Sequence, residues 1–199
     1  MFFDISDKNI KIEAGSNLVL IEPEEPFSEI SLDFLNELSK FIFNSKKLKY
    51  IPELSSFAFW CRKNNLLKFQ KQNLELNNLR MGRGLAFHLP PSNVPINFIY
   101  SFSIGLISGN SNIIKLPSKN FIIIKYLIIL LSKLMKIKKF SKIKQRNSFI
   151  RYNFENKKIS EKISKFSNIR MIWGGDQKIA EIINHKPNIY SMDIPFHDK

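Results

Sequence analysis

The amino-acid sequence predicts an α/β fold in which a parallel sheet is wound on both faces by helices, behind an N-terminal helical segment. Two observations carry this. From Met81 onward, short apolar runs alternate strictly with helical patterns, as βαβ units do. In addition, three of those runs end in turn-forming residues that lead directly into a helix.

Taken in order, residues 1–26 read as a short strand region and a Pro-rich loop ending in VLIEPEEP. Ser31 is the expected N-cap of the first helix, because Leu35, Leu38, Phe41 and Ile42 then recur at helical spacing. A second helix follows Pro52 through ELSSFAFWCRKNNLL. Leu66, Leu74 and Leu79 suggest a third, more polar one. These elements make residues 1–80 the N-terminal segment and 81–199 a partial dinucleotide-binding domain. In the second part GLAFHL, SNIIKL, NSFIRY and NIRMIW read as strands. INFIYSFSIGLIS, NFIIIKYLIILLSKLMKI, SEKISKFS and DQKIAEIIN read as the helices that follow them.

Composition bounds the function. The single cysteine excludes a disulfide framework and fits a reducing compartment, the cytoplasm. The start, MFFDISDKNIKIEAG, has no basic-then-apolar signal pattern. The apolar run Phe121–Leu131 is interrupted by Lys125 and is shorter than the ~20 residues that span a bilayer, so no membrane span is expected. The net charge is +14, and 13 of the 31 basic residues fall between Glu75 and Glu155, where no acid occurs. An A+T-rich genome explains the many lysines. A site for anionic phosphates explains the missing acids better. The stretch KLMKIKKFSKIKQR is expected to be a solvated helix end and loop.

Ligands of a parallel sheet sit at the carboxyl ends of its strands. Three such ends are visible: Pro90-Pro91-Ser92-Asn93, Lys115-Leu116-Pro117-Ser118 and Trp173-Gly174-Gly175-Asp176. Each precedes a helix, whose first N–H groups attract anions. Together they would suit a dinucleotide. Neither G-x-G-x-x-G nor the P-loop pattern is present. His88, His185 and His197 lack metal-ligand spacing, so no metal is expected, and His88 reads as a strand residue with a satisfied ring.

The block GRGLAFHLPPSNVPINFIYSFSIGLISGNSNIIKLPS, with IWGGDQKIAEI and FAFWCRKNNL, resembles the acyl-CoA reductase family, known from the fatty acid reductases of bacterial luminescence systems. That family belongs to the aldehyde dehydrogenase superfamily. The resemblance covers about residues 30–185. It implies an aldehyde-dehydrogenase-like sheet, an acyl-CoA substrate, and reduction to the aldehyde through an acyl-cysteine.

The resemblance also implies roles. Asn93 matches the asparagine whose amide helps form an oxyanion hole; on the residues alone, Asn93 could equally cap a helix starting near Val94. Pro90, Pro91 and Ser92 match loop positions lining the cofactor, with Ser92 where the superfamily pattern Pro-Trp-Asn-Phe-Pro carries Trp. Lys115 matches the lysine contacting the adenine-side ribose. Ser118 stands where many NAD-dependent relatives carry glutamate. Its lack of charge, with Lys115 and Lys119 nearby, favours NADPH over NADH. Gly175 and Asp176 match a Gly-Ser turn under the pyrophosphate; Asp176 departs from that serine and instead suits a helix cap. Gly105 and Gly109 suit packing and a helix C-terminal turn.

Cys61, beside Trp60 in an apolar helix, reads as a structural thiol. The resemblance implies that the nucleophilic cysteine lies well downstream of the Trp-Gly-Gly-Asp block, beyond Lys199. The sheet is therefore expected to be incomplete and the isolated chain inactive, with a second polypeptide or further chain supplying the thiol. Two rivals stay open: a non-catalytic nucleotide-binding remnant and a basic nucleic-acid-binding protein.

Overall fold

The computed structural model describes residues 1–73, 79–119, 121–153, 155–185 and 187–197. In chain order its elements are β1 (Phe2–Asp4), β2 (Lys11–Gly15), β3 (Leu18–Leu20), α1 (Glu29–Asn44), α2 (Pro52–Trp60), α3 (Lys63–Asn73), β4 (Leu85–Leu89) and α4 (Asn97–Ile107). Then come β5 (Ser111–Lys115), α5 (Ile122–Met135), α6 (Ser141–Arg146), β6 (Asn147–Arg151), α7 (Lys157–Phe166), β7 (Ile169–Gly174), α8 (Asp176–Ile183) and β8 (Met192–His197).

The main sheet has six strands in the order β2-β6-β5-β4-β7-β8. All neighbours pair in parallel except β2, which runs antiparallel to β6 at one edge. β1 and β3 form a separate antiparallel ribbon. The sheet is covered on both sides, which is why its inner strands β4 and β5 are buried at every position rather than alternately. Phe98 and Phe102 of α4 and Leu127 and Leu131 of α5 pack with Ile114 and Phe149 on one face, together with α1. Ile159 and Ile163 of α7 and Ile179 and Ile182 of α8 pack with Phe87, Ile113 and Ile172 on the other. Each such fully buried side chain contributes about 1.5–3 kcal/mol.

Several sequence expectations shift. The first helix begins at Glu29 with Ser28 as its N-cap, not Ser31, which is buried inside the first turn and hydrogen-bonded to the Ser28 hydroxyl. The stretch expected as one helix after Pro52 is two, broken at Cys61 and Arg62. A tertiary contact outweighs local propensity here: the Asn36 side chain of α1 accepts from the Lys63 backbone N–H at 3.0 Å, and Asp33 holds the Lys63 ammonium at 2.7 Å. Leu74, invoked for the third helix, lies outside the described residues. The N-terminal segment supplies more than helices, since β2 joins the sheet edge. β8 was not anticipated: Pro195 and Asp193 disguise it, yet proline is tolerated on an edge strand. Gly109 follows α4 at φ +78°, and a Cβ there would lie 2.0 Å from the Glu24 carbonyl oxygen. Only glycine accommodates that turn.

Candidate functional site

Chain order along the sheet reverses beside β4: β5 and β6 lie on one side of it, β7 and β8 on the other. This is a topological switch point, where the loops leaving β4 and β7 diverge, the place at which open α/β sheets bind ligands. The three strand ends singled out in the sequence belong to β5, β4 and β7, which are adjacent. The fold thus gathers all three loops at one rim.

Leaving β4, Pro90 and Pro91 are buried, while Ser92 and Asn93 are exposed. Helix α4 starts only at Asn97, with Ile96 as its N-cap. Asn93 therefore does not cap it. Its side-chain amide takes part in no hydrogen bond among the described residues, and stands in solvent at the switch point as an available donor.

Lys115 ends β5 and is 9% exposed. Its ammonium lies 5.3 Å from the centroid of the Tyr152 ring, a cation–π distance. Burial, then the neighbouring charges of Lys178 and Arg151, hold its pKa down at about 8. Lys119, the second cation expected from the sequence, is exposed and is not among those charges. Ser118 is also exposed. Arg151 donates to the Pro117 carbonyl oxygen, fastening the loop after β5, and its Nε lies 3.2 Å from Glu13.

At the third end, Gly174 has φ +152°, and a Cβ there would come within 2.9 Å of the Lys178 side chain. The lysine stem therefore folds back over this turn. A Cβ on Gly175 would meet nothing within 4 Å, so the backbone beside the start of α8 is open to a ligand. Gly175, not Asp176, is the N-cap; the Asp176 carboxylate instead bonds Nδ1 of His197 at 2.8 Å. Trp173 stacks on Phe196 with ring centroids 4.0 Å apart.

Helix α8 is anchored at its other end. The fully buried Arg170 of β7 donates to the carbonyls of Ile182 (2.9 Å) and His185 (2.8 Å). It also forms a two-pronged pair with Asp193 of β8, both contacts at 2.6 Å. A cation at the negative end of a helix and a bidentate carboxylate are both favourable.

Sequence reasoning missed Lys178, Arg151 and Tyr152. The first two are charged residues near strand ends already suspected, but only the sheet order reveals that α8 brings Lys178 towards β5. Cys61 is buried, and burial pushes its thiol well above the usual range, away from thiolate chemistry. Among the described residues no group of three or more metal-ligating side chains occurs, and no helix is long and apolar enough to cross a membrane.

The rim offers backbone N–H groups, a cationic cluster and a solvent-facing amide donor, a set suited to a phosphate-bearing ligand and a developing oxyanion. The family described as Acyl-CoA reductase (LuxC) matches residues 40–199. No curated protein matches the chain. Among solved structures, proline utilization A of Bradyrhizobium japonicum is similar at TM-score 0.63 and 15% identity, over 84% of this chain and 20% of that one. Glyceraldehyde-3-phosphate dehydrogenase GapN of Methanocaldococcus jannaschii, complexed with NADP, gives 0.62 and 13%, over 86% and 41%. Betaine aldehyde dehydrogenase of Staphylococcus aureus, in complex with NAD+, gives 0.59 and 13%, over 86% and 38%. The chain thus spans well under half the length of these neighbours.

Proposed function

The chain belongs to the acyl-CoA reductase family, an aldehyde-forming oxidoreductase family with an aldehyde-dehydrogenase-like fold, and on that premise we propose that it is the cofactor-holding part of an enzyme that reduces an acyl-CoA to its aldehyde with NADPH. The observation that carries this reading is the gathering of the loops after β4, β5 and β7 at one switch point, with Asn93 exposed beside them.

When bound, the nicotinamide cofactor supplies the hydride. The residues of this chain hold and polarise. The open backbone at Gly175 and the first N–H groups of α8 would face the pyrophosphate. Lys115 would contact the adenine-side ribose, and the loop Pro90-Pro91-Ser92 would line the crevice. Ser118 leaves that end without a carboxylate, which favours NADPH. The Asn93 amide would donate to the acyl carbonyl oxygen as charge develops on it, and a donor of that kind contributes roughly 3 kcal/mol. The thiolate that carries the acyl group would come from polypeptide other than these 199 residues, because Cys61 is buried and its thiol disfavoured as an anion. The substrate reading is a long-chain acyl-CoA, and the buried, unpaired Cys61 fits a reducing cytoplasm.

Nucleic-acid binding is less well supported. The basic stretch after α5 is partly neutralised: Lys139 pairs with Asp33, Lys142 with Glu22 and Glu24, and Arg146 with Glu24. Titrating the purified chain with NADPH by fluorescence tests the proposal. Saturable binding that Lys115→Ala weakens supports it; salt-sensitive binding to DNA with none to NADPH overturns it.

A further inference from the structure

We propose that the outer face of α5 is a docking surface for a membrane that carries anionic lipid, with its isoleucines entering the head-group layer and its lysines meeting the lipid phosphates. The inference does not depend on the nucleotide-binding reading above.

Helical periodicity puts this surface together. Ile122, Lys125, Ile129, Lys133 and Lys136 follow one another at intervals of three or four residues, so they form one stripe along the helix and its C-cap. All five are exposed. Ile122 is 59% exposed and Ile129 41%, and Ile137, in the turn beyond, is 43% exposed. On the other side of the same helix, Leu127, Leu131 and Leu134 are fully buried in the core. Core packing therefore holds the stripe in place, and binding needs no folding of the helix.

Charge narrows the choice of partner. Among the described residues Lys125, Lys133 and Lys136 have no ion-pair partner, whereas Lys139 and Lys142, beyond the end of the helix, are held by Asp33, Glu22 and Glu24. Helix α5 itself contains no acid. Beside the stripe a groove of about 680 Å³ lies between α5 and the edge strand β2, and Lys11 and Arg151 line it together with Lys125. The one acid lining it, Glu13, contacts both of the others, at 3.0 Å from Lys11 and 3.2 Å from Arg151. Positive charge is thus in excess over this face, and a layer of lipid phosphates complements it.

Nucleic acid would match the charge but not the isoleucines. Single strands are gripped by exposed aromatic rings, and Phe121 and Tyr126, at the start of this helix, are half-buried. Isoleucine beside lysine instead suits a lipid interface, where the apolar side chain enters and the long lysine stem carries its ammonium up to the head groups. A helix of 14 residues is too short to span the bilayer, so α5 would meet it side-on. The long acyl chain proposed above concentrates at the same kind of surface.

The test is flotation of the 199-residue chain with phosphatidylcholine vesicles, with and without phosphatidylglycerol. The chain should bind the anionic vesicles in preference to the neutral ones, and bind less as salt rises. Lys125→Gln, Lys133→Gln and Lys136→Gln together should weaken binding by ~100-fold, at about fivefold for each charge near the surface. Ile122→Ser with Ile129→Ser should weaken it by ~10-fold or more. Lys158→Gln, Lys162→Gln and Lys165→Gln on α7, which covers the opposite side of the sheet, remove the same charge and should weaken binding by less than about fivefold. Thermal melting confirms that each variant folds. Equal losses from the two lysine sets would mean that net charge alone drives adsorption, and overturn the inference. So would an absence of binding to anionic vesicles, or no effect of the two serines. Tighter binding to single-stranded DNA than to vesicles, lost with the α5 lysines and unchanged by the serines, would reassign the face to nucleic acid and overturn it as well.

Discussion

Nε2 of His88 on β4 lies 2.9 Å from Oδ1 of Asn112 on the adjacent β5. The Asn112 amide nitrogen is already spent, donating to Asn147 Oδ1 at 2.7 Å and the Asn110 carbonyl at 2.9 Å. Its oxygen must therefore accept from the ring, so His88 carries its proton on Nε2. Nδ1 is left to accept from the Ser101 hydroxyl at 2.8 Å. The ring is fully buried and neutral, and this polar ladder ties β4, β5 and β6 together beneath α4.

Acid should therefore destabilise the fold through His88. Burial holds its pKa down at about 4, against an ordinary 6.5. Between those values the unfolded chain takes up a proton that the folded chain refuses. Stability is lost as pH falls from about 6.5 towards 4, by up to about 3 kcal/mol. Urea unfolding between pH 7 and 4 measures this, and His88→Gln should lower stability at pH 7 and flatten the decline.

Gly105→Ala should destabilise by about 1–3 kcal/mol or more. Its Cβ would sit 2.2 Å from Asn112 Oδ1 and 2.8 Å from His88 Cε1, inside the same ladder. The midpoint of denaturant unfolding reports the change, while Ser92→Ala in the exposed loop should leave it within about 0.5 kcal/mol.

Affinity for NADPH should fall as pH rises from 7 to 9. Lys115 has its pKa held near 8 by burial and by Lys178 and Arg151, so it loses its charge in that window. Ligand binding there should be accompanied by proton uptake, visible as a buffer-dependent heat in calorimetry. Lys115→Ala should bind more weakly at pH 7 and show a flatter profile.

Asn93→Ala should lower kcat for acyl-CoA reduction by roughly 100- to 1000-fold in the assembly that turns over. Cofactor affinity, measured on this chain, should stay unchanged. A matching loss of cofactor affinity would make Asn93 a cofactor contact instead.

Much of this architecture was legible in the residues because apolar period and punctuation coincide. GLAFHL, SNIIKL, NSFIRY and NIRMIW are strands in the structure, and α4, α5, α7 and α8 fall within a few residues of expectation, whereas α6, with Ile143 and Arg146 buried, forms in a stretch expected as a solvated helix end and loop. What could not be read depended on contacts distant in sequence. The break between α2 and α3 is set by Asn36, and the place of β2 by pairing with β6, more than a hundred residues away. β8 was hidden by Pro195, which only an edge position tolerates. At the rim, the three strand ends were visible as turn residues. The cations around Lys115 were not, because strand order, rather than spacing along the chain, decides which charges meet.

The clamp on α8 bears on how remote changes reach this rim. The helix is eight residues long, about 12 Å, and its far end is bolted by Arg170 to both flanking strands. So short a rod has little slack: loosening the bolt tilts its opposite tip, where Gly175 and Lys178 sit. A substitution at Arg170, touching no ligand, would then surface as lost nucleotide affinity, and distance from the crevice is a poor guide to harmlessness in this protein.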